Sequence, residues 1–158
     1  MKTQTNTKRL AFNESVFYKI EQLSIYINML SKNFFEIRQV DLTSDEFKAL
    51  GFIIDNPDIC QRDLAKLMLR DRVRTGRILN SLEEKKYIKR INDTRNNRLI
   101  RKLKITKSGQ KLFEEQHRII MLVFEKLLEK FSQNKMDNLY NTLEDLEIAL
   151  SEIIAFNI

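Results

Sequence analysis

Cysteine, proline and glycine are all scarce in this chain, and each shortage closes off a class of protein. A single cysteine, Cys60, excludes an internal disulfide framework and fits a reducing compartment, so the sequence reads as cytoplasmic. One proline and three glycines in 158 residues leave little material for sharp turns and predict a chain of long helices. The chain has no glycine-rich phosphate loop, no HExxH and no CxxC pair, and it holds one histidine. Acidic neighbours such as Glu114-Glu115 and Glu144-Asp145 read as solvated helix faces, not as catalytic dyads. No enzymatic activity, metal or cofactor is expected. No apolar run approaches about 18 residues, and no apolar stretch follows the basic residues of MKTQTNTKRLAF, so neither a membrane span nor an export signal is expected. Residues 1–11 are polar and are expected to be mobile.

What the chain does have is basic charge in one place. Residues 70–104 hold 13 Lys/Arg against 4 Asp/Glu, a net of +9, whereas the whole chain is +6, so the other 123 residues sum to −3. Two helical patterns open this region. The first carries Leu64, Ala65 and Met68; the second carries Thr75, Ile78, Leu79 and Leu82, an i, i+3, i+4, i+7 stripe that faces a core. Arg70, Arg74, Arg77 and Ser81 gather on the opposite side. Asp71 is the expected cap. A helix with a packed back and an Arg-rich front, held by a partner helix, suits a DNA major groove. The period then changes from 3.6 to 2: Leu99, Leu103 and Ile105 alternate with Ile100, Lys102 and Lys104. Residues 93–97, DTRNN, read as the turn after residues 88–92, giving a β-hairpin with a basic tip.

Long apolar helices flank this region. Across residues 13–39, Val16, Ile20, Leu23, Ile27, Leu30, Phe34 and Ile37 recur at steps of four and three, a heptad seam. A second set, Phe17, Tyr26, Met29 and Phe35, broadens the apolar surface. After Thr106-Lys107-Ser108-Gly109 another helix carries Leu112, Phe113, Ile119, Ile120, Val123, Phe124, Leu127, Leu128 and Phe131. Beyond a polar break at residues 132–134, a last helix carries Met136, Leu139, Tyr140, Leu143, Leu146, Leu150, Ile153 and Ile154. A central module of about 50 residues cannot cover all of this, so a two-fold dimer with one DNA-reading module per subunit is expected. A shorter helix starts at a Thr43 or Ser44 cap and runs through Phe47, Leu50 and Ile54 to Asn56-Pro57. Ile59 reads as a lone strand residue beside the hairpin.

LTSDEF at 42–47, QRDLA at 61–65, LEEKKYIKR at 82–90, Arg98 and ITKSGQKL at 105–112 occur in an order and spacing that resemble the MarR family of bacterial winged helix-turn-helix transcription regulators. The resemblance covers nearly the whole chain. It implies a single mainly α (α+β) domain over 1–158, with a winged-helix DNA-binding module at 42–106 between dimerisation helices at 12–40 and 107–156. It also implies a homodimeric, sequence-specific regulator, a repressor of a palindromic operator released by a small-molecule effector. DNA contacts fall to Arg70, Arg72, Arg74, Thr75, Arg77, Asn80 and Ser81 on the helix, and to Arg95, Asn97 and Arg98 on the wing. The implied effector is aromatic or lipophilic, with Tyr18, Tyr26, Phe34 and His117 as candidate lining residues. His117 otherwise reads as an ordinary helix residue, and Cys60 as a small buried one. The chain departs from the family pattern at Lys86, where a helix-ending Gly is usual, at Gly76, where Thr is frequent, and at Asn96 and Asn97, where the wing usually has Asp and a basic residue. The competing reading is a winged-helix protein–protein interaction module without specific DNA binding.

Overall fold

A computed structural model describes residues 12–95 and 98–156. A 3-10 helix at Phe12–Glu14 leads into α1 (Val16–Ile37), α2 (Ser44–Asp55), α3 (Gln61–Leu67) and α4 (Arg72–Glu84). Two strands follow, β1 (Ile88–Arg95) and β2 (Arg98–Ile105), and then α5 (Lys107–Leu128) and α6 (Gln133–Phe156). This is the expected mainly helical plan, a helix-turn-helix followed by a two-stranded wing. Residues 1–11, expected to be mobile, lie outside the described residues. The chain up to Phe113 forms one compact unit, and the residues from Glu114 onward form a second.

In the first unit, helices begin where the sequence supplies an oxygen for unpaired backbone donors. Ser15 accepts from the Tyr18 N–H, and Asp71 accepts from the Arg74 N–H at 2.8 Å, the expected cap of α4. Thr43 and Glu46 form a reciprocal capping box at the start of α2. The core lies between α2, α3, α4 and the hairpin: Leu50, Leu64, Leu79, Leu82, Ile88 and Leu103 are each no more than 1% exposed. Phe47 joins it to both ends of the unit, tilted against Phe35 at 5.6 Å and stacked on Phe113 at 4.8 Å. Gly51 gives Phe113 its room, since a Cβ there would lie 3.2 Å from the ring.

The scarcity of glycine does not mean a scarcity of sharp turns. Gln39, Asp58, Leu69 and Lys86 adopt positive φ of 53°, 65°, 50° and 62°, and no glycine does. Three of them follow a helix. At each, the next residue's N–H reaches back five positions, from Val40 to the Phe35 carbonyl, from Arg70 to Ala65 and from Tyr87 to Leu82. These bonds offset a left-handed conformation that costs an L-residue about 1–2 kcal/mol. Gly109 serves a different need. A Cβ there would lie 2.2 Å from the Tyr87 carbonyl oxygen, so only glycine lets the first turn of α5 meet the α4–β1 turn.

The hairpin pairs Ile88 with Ile105 at its base and Arg95 with Arg98 at its far end. Asp93, Thr94 and Arg95, read from the sequence as turn, are therefore strand. The Asp93 carboxylate meets the Lys102 ammonium at 2.5 Å, diagonally across the ladder, which offsets its preference for a turn. Cys60 bridges Lys102, and the Ile59 carbonyl accepts from the Leu103 N–H, so the lone strand contact expected at 59 extends over both residues. In the second unit the helix break falls at residues 129–132, and Gln133 and Asn134, read as loop, begin α6.

Candidate nucleic-acid interface

The orientation of α4 decides which side chains a partner can reach. Its inward residues are the expected stripe of Thr75, Ile78, Leu79 and Leu82. At about 100° per residue, Val73, Arg77 and Asn80 fall within an arc of about 60° on the opposite side. All three are exposed.

Arg74 and Ser81, expected at the front, lie on the flank nearest α2 and are engaged there. The Arg74 guanidinium meets Asp45 at 3.1 Å, and Arg70 meets the other oxygen of the same carboxylate at 3.6 Å. Arg70 precedes α4, so it is not part of the helix face on which the sequence reading set it. The Ser81 hydroxyl donates to Glu46 at 2.6 Å. Thr75 is fully buried, and its hydroxyl donates to the Asp71 carbonyl, so its assignment as a DNA contact is corrected: it belongs to the core.

Glu46 is the residue that sequence reasoning missed. It is 3% exposed and accepts from the Thr43 N–H, the Ser81 hydroxyl and, through both oxygens, the Lys85 ammonium at 3.0 and 3.1 Å. Burial pushes its carboxyl up, but the bonds from Ser81, Thr43 and Lys85 together outweigh that and hold it below the ordinary carboxylate value. Burial likewise pushes the Lys85 ammonium down, and its bonds to Glu46 and Asp41 reverse the sign. The Thr-x-x-Glu spacing announces the cap; nothing local announces that the same carboxylate also ties α4 to α2.

Arg90 performs a similar task for the wing. Its guanidinium bonds Glu83 at 2.6 Å and Asn80 at 2.8 Å, both on α4. Arg95 and Arg98 face each other at the end of the ladder, and their side chains, like Asn97 as a whole, lie outside the described residues. The basic side chains described between residues 70 and 104 thus divide in two. Arg70, Arg74, Lys85, Arg90, Lys102 and Lys104 are held by carboxylates. Arg72, Arg77, Lys86, Lys89 and Arg101 are exposed and carry no ion pair among the described residues. An open guanidinium keeps its planar donors for phosphate or for the paired acceptors of guanine.

Three of the candidate effector residues, Tyr18, Tyr26 and Phe34, lie along α1. A cavity of about 760 Å³ lies between the end of α1, the start of α2 and Ile78 of α4, lined among others by Asn28, Lys32, Phe35, Val40 and Asp45. Tyr18, Tyr26 and Phe34 do not line it. The Tyr18 hydroxyl accepts from Gln22 at 3.0 Å, Tyr26 is 65% exposed, and Phe34 packs edge-on against Phe35 with Arg38 over its ring. His117 belongs to the second unit. Cys60 is half-buried, and its thiol donates to the Asp63 carboxylate at 3.2 Å.

Residues 40–99, from the end of α1 to the start of β2, match the sequence profile of the MarR family. The family match is confined to this segment. Over 78 residues the chain is 33% identical to YybA of Bacillus subtilis (strain 168), named an uncharacterized HTH-type transcriptional regulator; the match spans 49% of this chain and 51% of YybA. The chain thus matches about half the length of that relative. The fold extends further. A crystal structure of the transcriptional regulator SlyA superposes with a TM-score of 0.79 at 23% identity, covering 91% of this chain and 99% of that one. A DNA complex of MepR from Staphylococcus aureus superposes at 0.76 and 23% identity, covering 89% and 99%. The segment that matches the MarR profile therefore sits in a chain whose fold, long flanking helices included, is similar to those of SlyA and MepR.

Proposed function

We propose that this protein is a dimeric, sequence-specific DNA-binding transcription regulator that acts in the cytoplasm as a repressor. The observation that carries this reading is the outward face of α4, where Arg77 stands exposed and unpaired while every neighbouring arginine toward α2 is held by Asp45. Such a face can enter a major groove with one guanidinium ready for a base edge. The wing, fixed to α4 through Arg90, carries Lys89 and Arg101 toward the backbone. Arg95, Asn97 and Arg98 belong to the same proposal. The crystallisation of MepR with DNA lends it support.

A second copy of the chain covers the exposed seam of α1 and the apolar residues of α6, giving two modules and a palindromic operator. Release is by a small aromatic or lipophilic molecule in the cavity beside Ile78 and Asp45. There it touches the back of α4 and the carboxylate that restrains Arg70 and Arg74. The test is selection of bound duplexes from a random DNA pool by the full chain. Enrichment of an inverted repeat is expected. Failure to enrich any sequence, with stoichiometric recovery of a protein partner instead, overturns the reading in favour of an interaction module.

A further inference from the structure

We propose that Val73 reads the methyl group of a thymine and so sets the base preference at one position of each half-site, an inference that rests on the DNA-reading role above. Valine is β-branched, a modest helix former, and gains nothing from facing water. Here it is 66% exposed. Isolated exposed apolar residues are common, so position and not exposure carries the argument. Val73 shares its arc with Arg77 and Asn80, directly opposite the buried stripe, and is therefore among the parts of α4 that reach deepest into a groove. Its place is also fixed. The Asp71 carboxylate accepts the N–H of Arg74, and the Gln61 amide donates to the Arg72 carbonyl, so both neighbours of Val73 are tied to the turn before α4 or to α3.

On this arc Arg77 offers donors, and Asn80 has its amide oxygen on Arg90. Val73 is the apolar member. In the major groove the one apolar feature of a base pair is the C5 methyl of thymine, and aliphatic side chains contact it. Four residues of helix advance about 6 Å, on the order of two base steps. Each half-site should therefore hold a thymine read by Val73 about two positions from a guanine read by Arg77.

The experiment uses the full chain and a duplex recovered from the random pool, with each thymine replaced in turn by deoxyuridine, which lacks the methyl and keeps every hydrogen-bonding group. Loss of one methyl contact should weaken binding about fourfold at one thymine per half-site. The Val73→Ala protein should show no such loss. Val73→Thr, which keeps one γ-methyl, should show part of it, and Arg77→Ala should retain it in full. Val73 is exposed, so these variants should fold, with unchanged circular dichroism. A wild-type protein indifferent to every deoxyuridine overturns the assignment while DNA reading stands, provided the selected duplex still outcompetes random DNA. Equal losses for wild type and Val73→Ala also overturn it. Absence of any sequence preference overturns the DNA-reading role and this inference with it.

Discussion

Along α4, Thr75, Ile78, Leu79 and Leu82 are at most 9% exposed, whereas along α1 the seam residues Val16, Leu23, Ile27 and Leu30 are 44–63% exposed. The two stripes look alike in the sequence. What differs is the surroundings. α4 lies among α2, α3 and the hairpin, which close over its apolar side, while α1 buries only Phe35 of its 22 residues. Periodicity reports the width of an apolar face and is silent on what covers it. One region is finished within the chain, and the other is the surface that the proposed second copy would cover.

Breaking the unfinished region should have the largest effect. Ile27→Glu combined with Leu30→Glu puts charge into the α1 seam. The mass in sedimentation should fall from twice 18.9 kDa to that of one chain. Affinity for an inverted repeat should fall by about 10²-fold or more, because the two modules no longer bind as a linked pair. A double variant that remains dimeric with full affinity contradicts the assignment of the seam.

The finished region should fail through its closest contact. Gly109→Ala drives a methyl into the Tyr87 carbonyl and should cost about 2–4 kcal/mol in urea unfolding. Glu46→Gln leaves Lys85 short of its counter-charge and should cost about 1–3 kcal/mol. The pH dependence has a definite sign. Because the folded Glu46 carboxyl titrates below its unfolded value, its contribution is complete above pH 4.5 and is lost as the pH falls through the folded value. The stability gap between wild type and Glu46→Gln should therefore shrink on acidification below that point. Asp71, held down chiefly by the Arg74 N–H, adds a loss of the same sign below its ordinary 3.8 in both proteins. The smallest effect is a gain: Lys86→Gly relieves a positive φ of 62° and should stabilise the protein by about 0.5–1 kcal/mol.

Features set by neighbours in the chain were legible in the sequence. The Thr43 and Asp71 caps, the inward stripe of α4 and the change of period at the hairpin all depend on residues within one or two turns. Features set by distant partners were not. Asp93 looked like a turn residue until Lys102 stood across from it, and Ser81 looked open until Glu46 of α2 reached it. The arginines of α4 suggest a front turned toward Arg74, whereas the buried stripe fixes the front at Val73, Arg77 and Asn80. A lone glycine such as Gly109 gives no sign in the sequence of the carbonyl it must approach. Aromatic residues gave the weakest guide: Tyr18, Tyr26 and Phe34 are spread along α1 and do not line the cavity beside Ile78, whose apolar wall comes from Phe35, Val40, Leu42 and Ile78.

The most direct measurement compares wild type with Arg77→Ala on a selected duplex and on random DNA over a salt series. A lost bidentate contact to guanine should cost about 1–3 kcal/mol on the selected duplex. The loss on random DNA should be smaller, so that the ratio between the two falls. An Arg77→Ala protein that keeps the wild-type ratio at every salt concentration would contradict the assignment of the α4 front as the surface that reads DNA.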